Sequence, residues 1–126
     1  MILRRMSYEF IGTMVLLIAV VGSSFMASYL KADWALGLLI NAAVTAATLG
    51  IIIKVSASVS GAHFNPVVTL AHVLLRKIPI TTALQYFLSQ ICGAAFGVII
   101  ANAMFSSTII GNSSINRTGS GLFLAE

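Results

Sequence analysis

The chain has 126 residues, of which 59% are hydrophobic and only 8% are charged, and its mean hydropathy is +1.03. Soluble domains carry about 25% charged residues, so this composition excludes a water-soluble protein and indicates an integral membrane protein. The net charge of +4 comes from seven basic and three acidic residues, and the basic residues occur singly or in pairs, which argues against a nucleic-acid partner. The single cysteine, Cys92, lies in an apolar run and provides neither a disulfide framework nor a metal cluster.

Three segments are apolar over the roughly 20 residues that are needed to cross a bilayer. They cover roughly residues 6–30, 35–53 and 82–105. The first segment follows Arg4 and Arg5, as in a secretory signal, but it is too long for the apolar part of a signal peptide, so we expect it to be retained. Lys31 and Asp33 mark a short polar connector to the second segment.

A fourth apolar segment, between the second and third spans, is too short to cross the membrane. Residues 60–69 read SGAHFNPVVT, and Asn65-Pro66 stands directly before an apolar run. Proline lacks an N–H and has a fixed φ, which suits the first turn of a helix, and Asn65 suits the cap before it. The ten residues from Pro66 rise about 15 Å, half of a hydrocarbon core of about 30 Å. The sequence therefore predicts a re-entrant half-helix over about residues 60–75.

The remaining chain is more polar. Residues 106–122 are rich in Ser, Asn, Gly and Thr, which predicts an extracytoplasmic loop, and an apolar end follows at residues 123–126. The positive-inside rule predicts a cytoplasmic N-terminus in the cell membrane, because five basic residues then lie inside and two outside. The inner five are Arg4, Arg5, Lys54, Arg76 and Lys77, and the outer two are Lys31 and Arg117.

Small residues recur at helix-contact spacing on two of the spans, where they favour close approach of helices in lipid. They are Ala42, Ala43, Ala46, Ala47 and Gly50 on the second span, and Gly93, Ala94, Gly97 and Ala101 on the third.

The residues around Asn65 resemble the first Asn-Pro-Ala box of the aquaporin family, the major intrinsic proteins, with Val67 where the family usually has alanine. Residues 9–13, EFIGT, resemble the Glu-x-x-Gly-Thr start of the family's first span. Residues 41–46 resemble bacterial members, some of which are associated with arsenic resistance. The third span also resembles the family's pattern, at Tyr86, Gln90, Gly93, Ala94 and Gly97.

This resemblance implies an all-α membrane protein with three transmembrane helices and one re-entrant half-helix. In the family, two inverted halves each supply this set, and the two half-helices meet at the middle of the membrane. The chain is then the N-terminal half of a channel for water or small neutral solutes, and residues 123–126 begin a fourth span. The implied partners are the lipid bilayer, the solute, a second channel half and the other subunits of a homotetramer. We expect no cofactor and no metal.

The resemblance also assigns channel-lining residues. Asn65 has two amide donors and the positive end of a helix behind it, so it favours a solute oxygen and disfavours a cation. A plain helix cap is the alternative interpretation of Asn65. By resemblance, the carbonyls of Ser60, Gly61, Ala62 and His63 form a row of acceptors along the pore, while the ring of His63 is structural.

Further roles follow from the same resemblance. Thr45 stands where the family places a second-span residue of its selectivity constriction, often aromatic, and a threonine there widens the pore. Glu9 braces the re-entrant loop by accepting hydrogen bonds from its backbone, unless it is an interfacial carboxylate in headgroup water. Gln90 braces the loop in the same way, and His72 is structural.

Two other function classes compete with a channel half. The chain is alternatively a truncated, non-conducting membrane fragment or a partner subunit of a split channel. An intramembrane enzyme is disfavoured, because His63 and His72 have no Cys, Asp or Glu near them in the sequence and Ser60 has no evident base.

Overall fold

The computed structural model describes residues 1–107, so the predicted loop beyond residue 107 and the predicted fourth span at 123–126 lie outside the described residues. The described part contains four helices, and the first, second and fourth are long and apolar enough to cross a membrane. The predicted all-α class, with three long apolar helices and one short re-entrant helix, is confirmed. The helices are α1 (Ile2–Tyr29), α2 (Trp34–Ser56), α3 (Pro66–Leu74) and α4 (Ile80–Met104).

The long helices extend beyond the apolar runs that predict them. Helix α1 begins at Ile2 rather than near residue 6, and α2 continues to Ser56 rather than ending near residue 53. The reason is that hydropathy marks the hydrocarbon core, whereas backbone hydrogen bonds continue along the helix into the interface. Asp33 caps α2, because its Oδ1 accepts a hydrogen bond from the Leu36 N–H at 2.8 Å.

Helix α1 lies between α2 and α4 and contacts both, and α3 packs on α4. The approach of α1 to α4 is close, because Gly93 lies against the backbone of Phe10 and Gly97 against that of Met14. A Cβ atom at Gly97 would lie 2.5 Å from the Met14 carbonyl oxygen. The small residues of the third span therefore form a helix contact as predicted, with Gly93, Gly97 and Ala101 all buried.

On the second span, the prediction that the small residues favour close approach of helices stays a prediction within the described residues. The small residues of that span, Ala42, Ala43, Ala46, Ala47 and Gly50, are all exposed. Helix α2 meets α1 through another face, where the Asn41 side-chain N–H group donates to the Val20 carbonyl at 2.8 Å and to Ser23 Oγ at 2.9 Å. Small side chains permit close approach but do not choose a partner, whereas the Asn41 amide needs acceptors in the apolar interior.

Candidate functional site

The segment between α2 and α3 follows a backbone path that few residues adopt. Gly61, Ala62 and Phe64 have φ values of +93°, +55° and +49°, in the left-handed region. Outside glycine this conformation costs about 1–2 kcal/mol per residue, so it persists only where the surroundings hold it. The hydrogen bonds to the N–H groups of this loop supply that restraint.

Glu9 on α1 accepts two of these hydrogen bonds and a third from the Ser60 hydroxyl. Its Oε1 accepts from Ser60 Oγ at 2.6 Å and from the His63 N–H at 3.0 Å, and its Oε2 accepts from the Phe64 N–H at 2.7 Å. The Gln90 amide donates to Oε2 at 2.9 Å, and Glu9 is fully buried. A carboxylate within a membrane is costly unless it is hydrogen-bonded, and here four donors surround it. The structure thus places Glu9 against the loop backbone, in the bracing position that the resemblance implies, rather than in headgroup water.

Gln90 reaches the loop indirectly. Its Nε2 donates to Glu9 Oε2 and, at 3.0 Å, to Thr69 Oγ1 on α3, and it accepts nothing from the loop backbone. It therefore holds the two groups that contact the loop rather than the loop itself, which differs from the predicted contact. The Gln90 Oε1 atom is buried and has no hydrogen-bond partner among residues 1–107.

Thr69, one helical turn after Asn65, is a site residue that the sequence did not predict. Its Oγ1 donates to the Asn65 carbonyl at 3.1 Å, accepts from Gln90, and lies 3.0 Å from His63 Nδ1. Because the single hydroxyl hydrogen goes to Asn65, Thr69 can only accept from His63. The hydrogen-bond network thus assigns the His63 proton to Nδ1.

The rings of His63 and His72 pack against each other. Their centroids are 4.1 Å apart, and Tyr86 meets His63 edge-on at 5.3 Å. The Tyr86 hydroxyl donates to the Ser60 carbonyl at 2.7 Å, a contact that was not predicted from the sequence. Tyr86 lies one turn before Gln90 on α4, and this spacing could have indicated that both residues face the loop.

Three consecutive carbonyls of the loop have no hydrogen-bond partner in the part of the chain that the structure describes. The N–H groups of Ala62, His63 and Phe64 bind Ser60 Oγ and Glu9, whereas the carbonyls of Gly61, Ala62 and His63 accept no hydrogen bond from residues 1–107. Ser60 departs from the predicted row of acceptors, because its carbonyl is occupied by Tyr86.

Asn65 caps α3 with its side chain in a defined orientation. Its Oδ1 accepts from the Val67 N–H at 2.8 Å, and Pro66 occupies the first helical position. Because Oδ1 is held by the helix, the two Nδ2 hydrogens face away from that bond. Asn65 and Val67 are both exposed in the described structure.

Thr45 lies apart from this network. It is half-buried on α2, one turn after Asn41, and its Oγ1 is buried without a hydrogen-bond partner among the described residues. No hydrogen bond within residues 1–107 joins it to the loop, so Thr45 is not part of the hydrogen-bond network that links Glu9 and Gln90 to the loop.

A half-helix capped by asparagine and preceded by a carboxylate-bound loop has a clear counterpart among known families. The sequence profile described as "Major intrinsic protein" matches residues 1–124. The chain belongs to the major intrinsic protein family. Members of this family are membrane channels, and the three long apolar helices agree with a membrane protein.

Individual relatives within the family carry solute names. The chain is 38% identical over 123 residues to "Aquaglyceroporin AqpS" of Rhizobium meliloti (strain 1021), an alignment that covers 98% of the chain and 53% of the relative. It is 31% identical to "Aquaglycerol porin AQY3" of Saccharomyces cerevisiae, over 92% of the chain and 18% of the relative. It is 30% identical to "Glycerol uptake facilitator protein-like 6" of Lactiplantibacillus plantarum, over 95% of the chain and 55% of the relative. The chain thus spans about half the length, or less, of these family members.

Proposed function

We propose that the chain forms the N-terminal half of a channel for water or small neutral solutes. The observation that carries this proposal is the orientation of Asn65. The bond from the Val67 N–H to Oδ1 holds the amide at the start of α3, so that its two N–H donors are available to a passing oxygen atom. The nine residues of α3 rise about 13 Å, which leaves this amide near the middle of a membrane.

The loop supplies acceptors that complement the amide donors. The carbonyls of Gly61, Ala62 and His63 have no partner in the described chain, and a permeating molecule with O–H groups would satisfy them. A cation would meet the positive end of α3 and the N–H groups of Asn65, which disfavour it. This combination supports passage of neutral hydroxylated solutes, a class that includes the glycerol of the relatives' names.

Two surfaces support a second half as the partner. Helix α3 exposes an apolar face with Val67, Leu70 and Leu74, and α2 exposes its small residues. A re-entrant helix is tolerated in lipid only where protein or a water-filled cavity covers it, so α3 requires a further protein surface on its open side. We further propose a homotetramer in the cell membrane with a cytoplasmic N-terminus, and a selectivity constriction that includes Thr45.

The same exposed face of α3 also supports the alternative, which is a non-conducting fragment or a partner subunit of a split channel. One half-helix provides one asparagine amide, and nothing in residues 1–107 opposes it.

Stopped-flow light scattering on proteoliposomes tests both proposals. We expect water or glycerol permeability when this chain is reconstituted together with the C-terminal half of the Rhizobium relative. Asn65→Asp preserves the cap oxygen but adds a charge at the amide position, and we expect it to abolish that permeability. Permeability at the level of empty vesicles in every combination would contradict the channel proposal and favour the non-conducting fragment. Permeability of the chain alone would contradict the need for a second half.

A further inference from the structure

A cavity with polar and apolar walls lies at the other end of the bundle from Glu9, where the connector joins α1 to α2. Its volume is about 490 Å³, and Ser24 and Ser28 of α1 and Trp34, Leu38 and Asn41 of α2 line it together with Asp33. None of these residues belongs to the network around the re-entrant loop. The volume is in the range of about 300–1,000 Å³ that is typical of small-molecule sites.

Three polar side chains of the cavity, Ser24, Ser28 and Asn41, present hydrogen-bond acceptors to a ligand. The Ser24 hydroxyl gives its hydrogen to the Val20 carbonyl at 3.1 Å, and the Ser28 hydroxyl gives its hydrogen to the Ser24 carbonyl at 3.0 Å. The Asn41 amide nitrogen donates to Val20 at 2.8 Å. Each of these side chains has therefore used its hydrogens within the protein and retains only lone pairs for a ligand.

Asp33 adds a negative charge to this set of acceptors. One of its carboxylate oxygens caps α2 through the Leu36 N–H at 2.8 Å. Asp33 forms no ion pair with any side chain of residues 1–107. The complementary ligand is a cation with several N–H donors, which describes a primary ammonium group, and the exposed Trp34 ring provides an aromatic face for the same cation.

The position of the cavity indicates that the ammonium belongs to a lipid. Trp34 is 88% exposed and Leu38 is 72% exposed. Both lie in the first turns of a membrane-spanning helix, at the membrane–water interface where tryptophan is enriched beside lipid headgroups. Lys31 is exposed two residues before Asp33 and offers a cation to a phosphate. We propose that this cavity binds the headgroup of an aminophospholipid, with the ammonium at Asp33 and Asn41 and the phosphate at Lys31. The proposal does not depend on the channel function.

Native mass spectrometry of the purified full chain in detergent tests this proposal with a series of lipids that share their acyl chains. The series is phosphatidylethanolamine, its N-methylated derivatives and phosphatidylcholine, in which N–H donors are removed one at a time. We expect affinity to fall stepwise, by about tenfold in total, because charge-assisted hydrogen bonds are lost. Equal affinity across the series would overturn the proposal.

Two substitutions localise the binding. Asp33→Asn keeps a capping oxygen for Leu36 but removes the charge, so we expect it to eliminate the preference for phosphatidylethanolamine while the melting temperature without lipid stays unchanged. Lys31→Gln should weaken all members of the series equally, and Lys54→Gln, at the other end of α2, is its matched control. Retention of the preference in Asp33→Asn would overturn the assignment.

Two controls separate a lipid from the other possible occupants. Soluble glycerophosphoethanolamine should compete only at concentrations far above those of the lipid, and competition at equal concentration would show an amine site that is not specific for lipid. Loss of the preference when the protein assembles into oligomers would show that a second copy, rather than a lipid, fills the cavity.

Discussion

Glu9 on α1 and Phe64 in the re-entrant loop are joined by a 2.7 Å hydrogen bond from the Phe64 N–H to the carboxylate Oε2. Phe64 precedes Asn65 directly, so a buried carboxylate near the start of the first helix holds the backbone just before α3. The Phe64 ring is also buried and lies against Gly12, one turn after Glu9. One turn of α1, from Glu9 to Gly12, therefore holds both the backbone and the side chain of Phe64.

Replacement of Glu9 by glutamine should destabilise the loop, because an amide nitrogen then faces two of the four donors. A buried donor without an acceptor costs about 1–3 kcal/mol, so we expect a loss of about 2–6 kcal/mol in the free energy of unfolding. Denaturation in mixed micelles followed by circular dichroism measures it. Lys54→Gln also introduces a glutamine, but at an exposed position, and should change the free energy of unfolding by less than about 0.5 kcal/mol. Equal stability of the two variants would contradict the bracing role of Glu9.

Tyr86→Phe should destabilise the protein through the Ser60 carbonyl, which loses the 2.7 Å hydrogen bond in a buried position. The expected cost is about 1–3 kcal/mol. Tyr29→Phe is the matched control, because Tyr29 is 79% exposed and the same atom is removed without burial. Thermal unfolding in detergent compares the two variants, and a similar shift of the melting temperature in both would argue against a specific contact.

Thr69→Val keeps the shape of a fully buried side chain but removes its oxygen. His63 Nδ1 and one Gln90 N–H then lose their acceptor, and each orphaned group costs about 1–3 kcal/mol. Amide hydrogen exchange of the loop N–H groups should accelerate in this variant, because the contacts that join α3 to the loop are weakened. The exposed Thr81→Val should leave exchange unchanged, and unaltered exchange in Thr69→Val would be the contradicting result.

Gly93→Ala should disrupt the contact between α1 and α4, since the added methyl group overlaps the Phe10 backbone. Overpacking of this kind typically costs about 1–3 kcal/mol. Gly50→Ala is the control, because nothing lies within 4 Å of its added methyl group. It should be neutral or stabilising by up to about 1 kcal/mol, as alanine favours helix over glycine. Chemical denaturation of both variants should thus give opposite signs.

The helix pattern and the family were predictable because their signals are local. Apolar length determines which segments can cross a bilayer, and the Asn65-Pro66 pair determines where a short helix starts. The box around Asn65, with Glu9 and the third-span pattern, was sufficient to predict the family. The helices extend beyond the predicted apolar spans, as α2 does to Ser56, because hydropathy does not report where backbone hydrogen bonding stops.

The contacts of the site depended on positions in space that spacing along the chain does not encode. Gly93 forms the predicted helix contact, whereas Ala46 is exposed within the described residues, because composition cannot tell which face of a helix meets which partner. Two residues far apart in sequence, His63 and Gln90, both donate hydrogen bonds to Thr69 Oγ1. Only the tertiary structure brings these two donors to the same acceptor. The sequence thus determined the elements and their membrane insertion, through local hydrophobicity and backbone preference. Packing decided the hydrogen-bond partners, because a buried polar group takes whichever donor or acceptor the fold brings within about 3 Å.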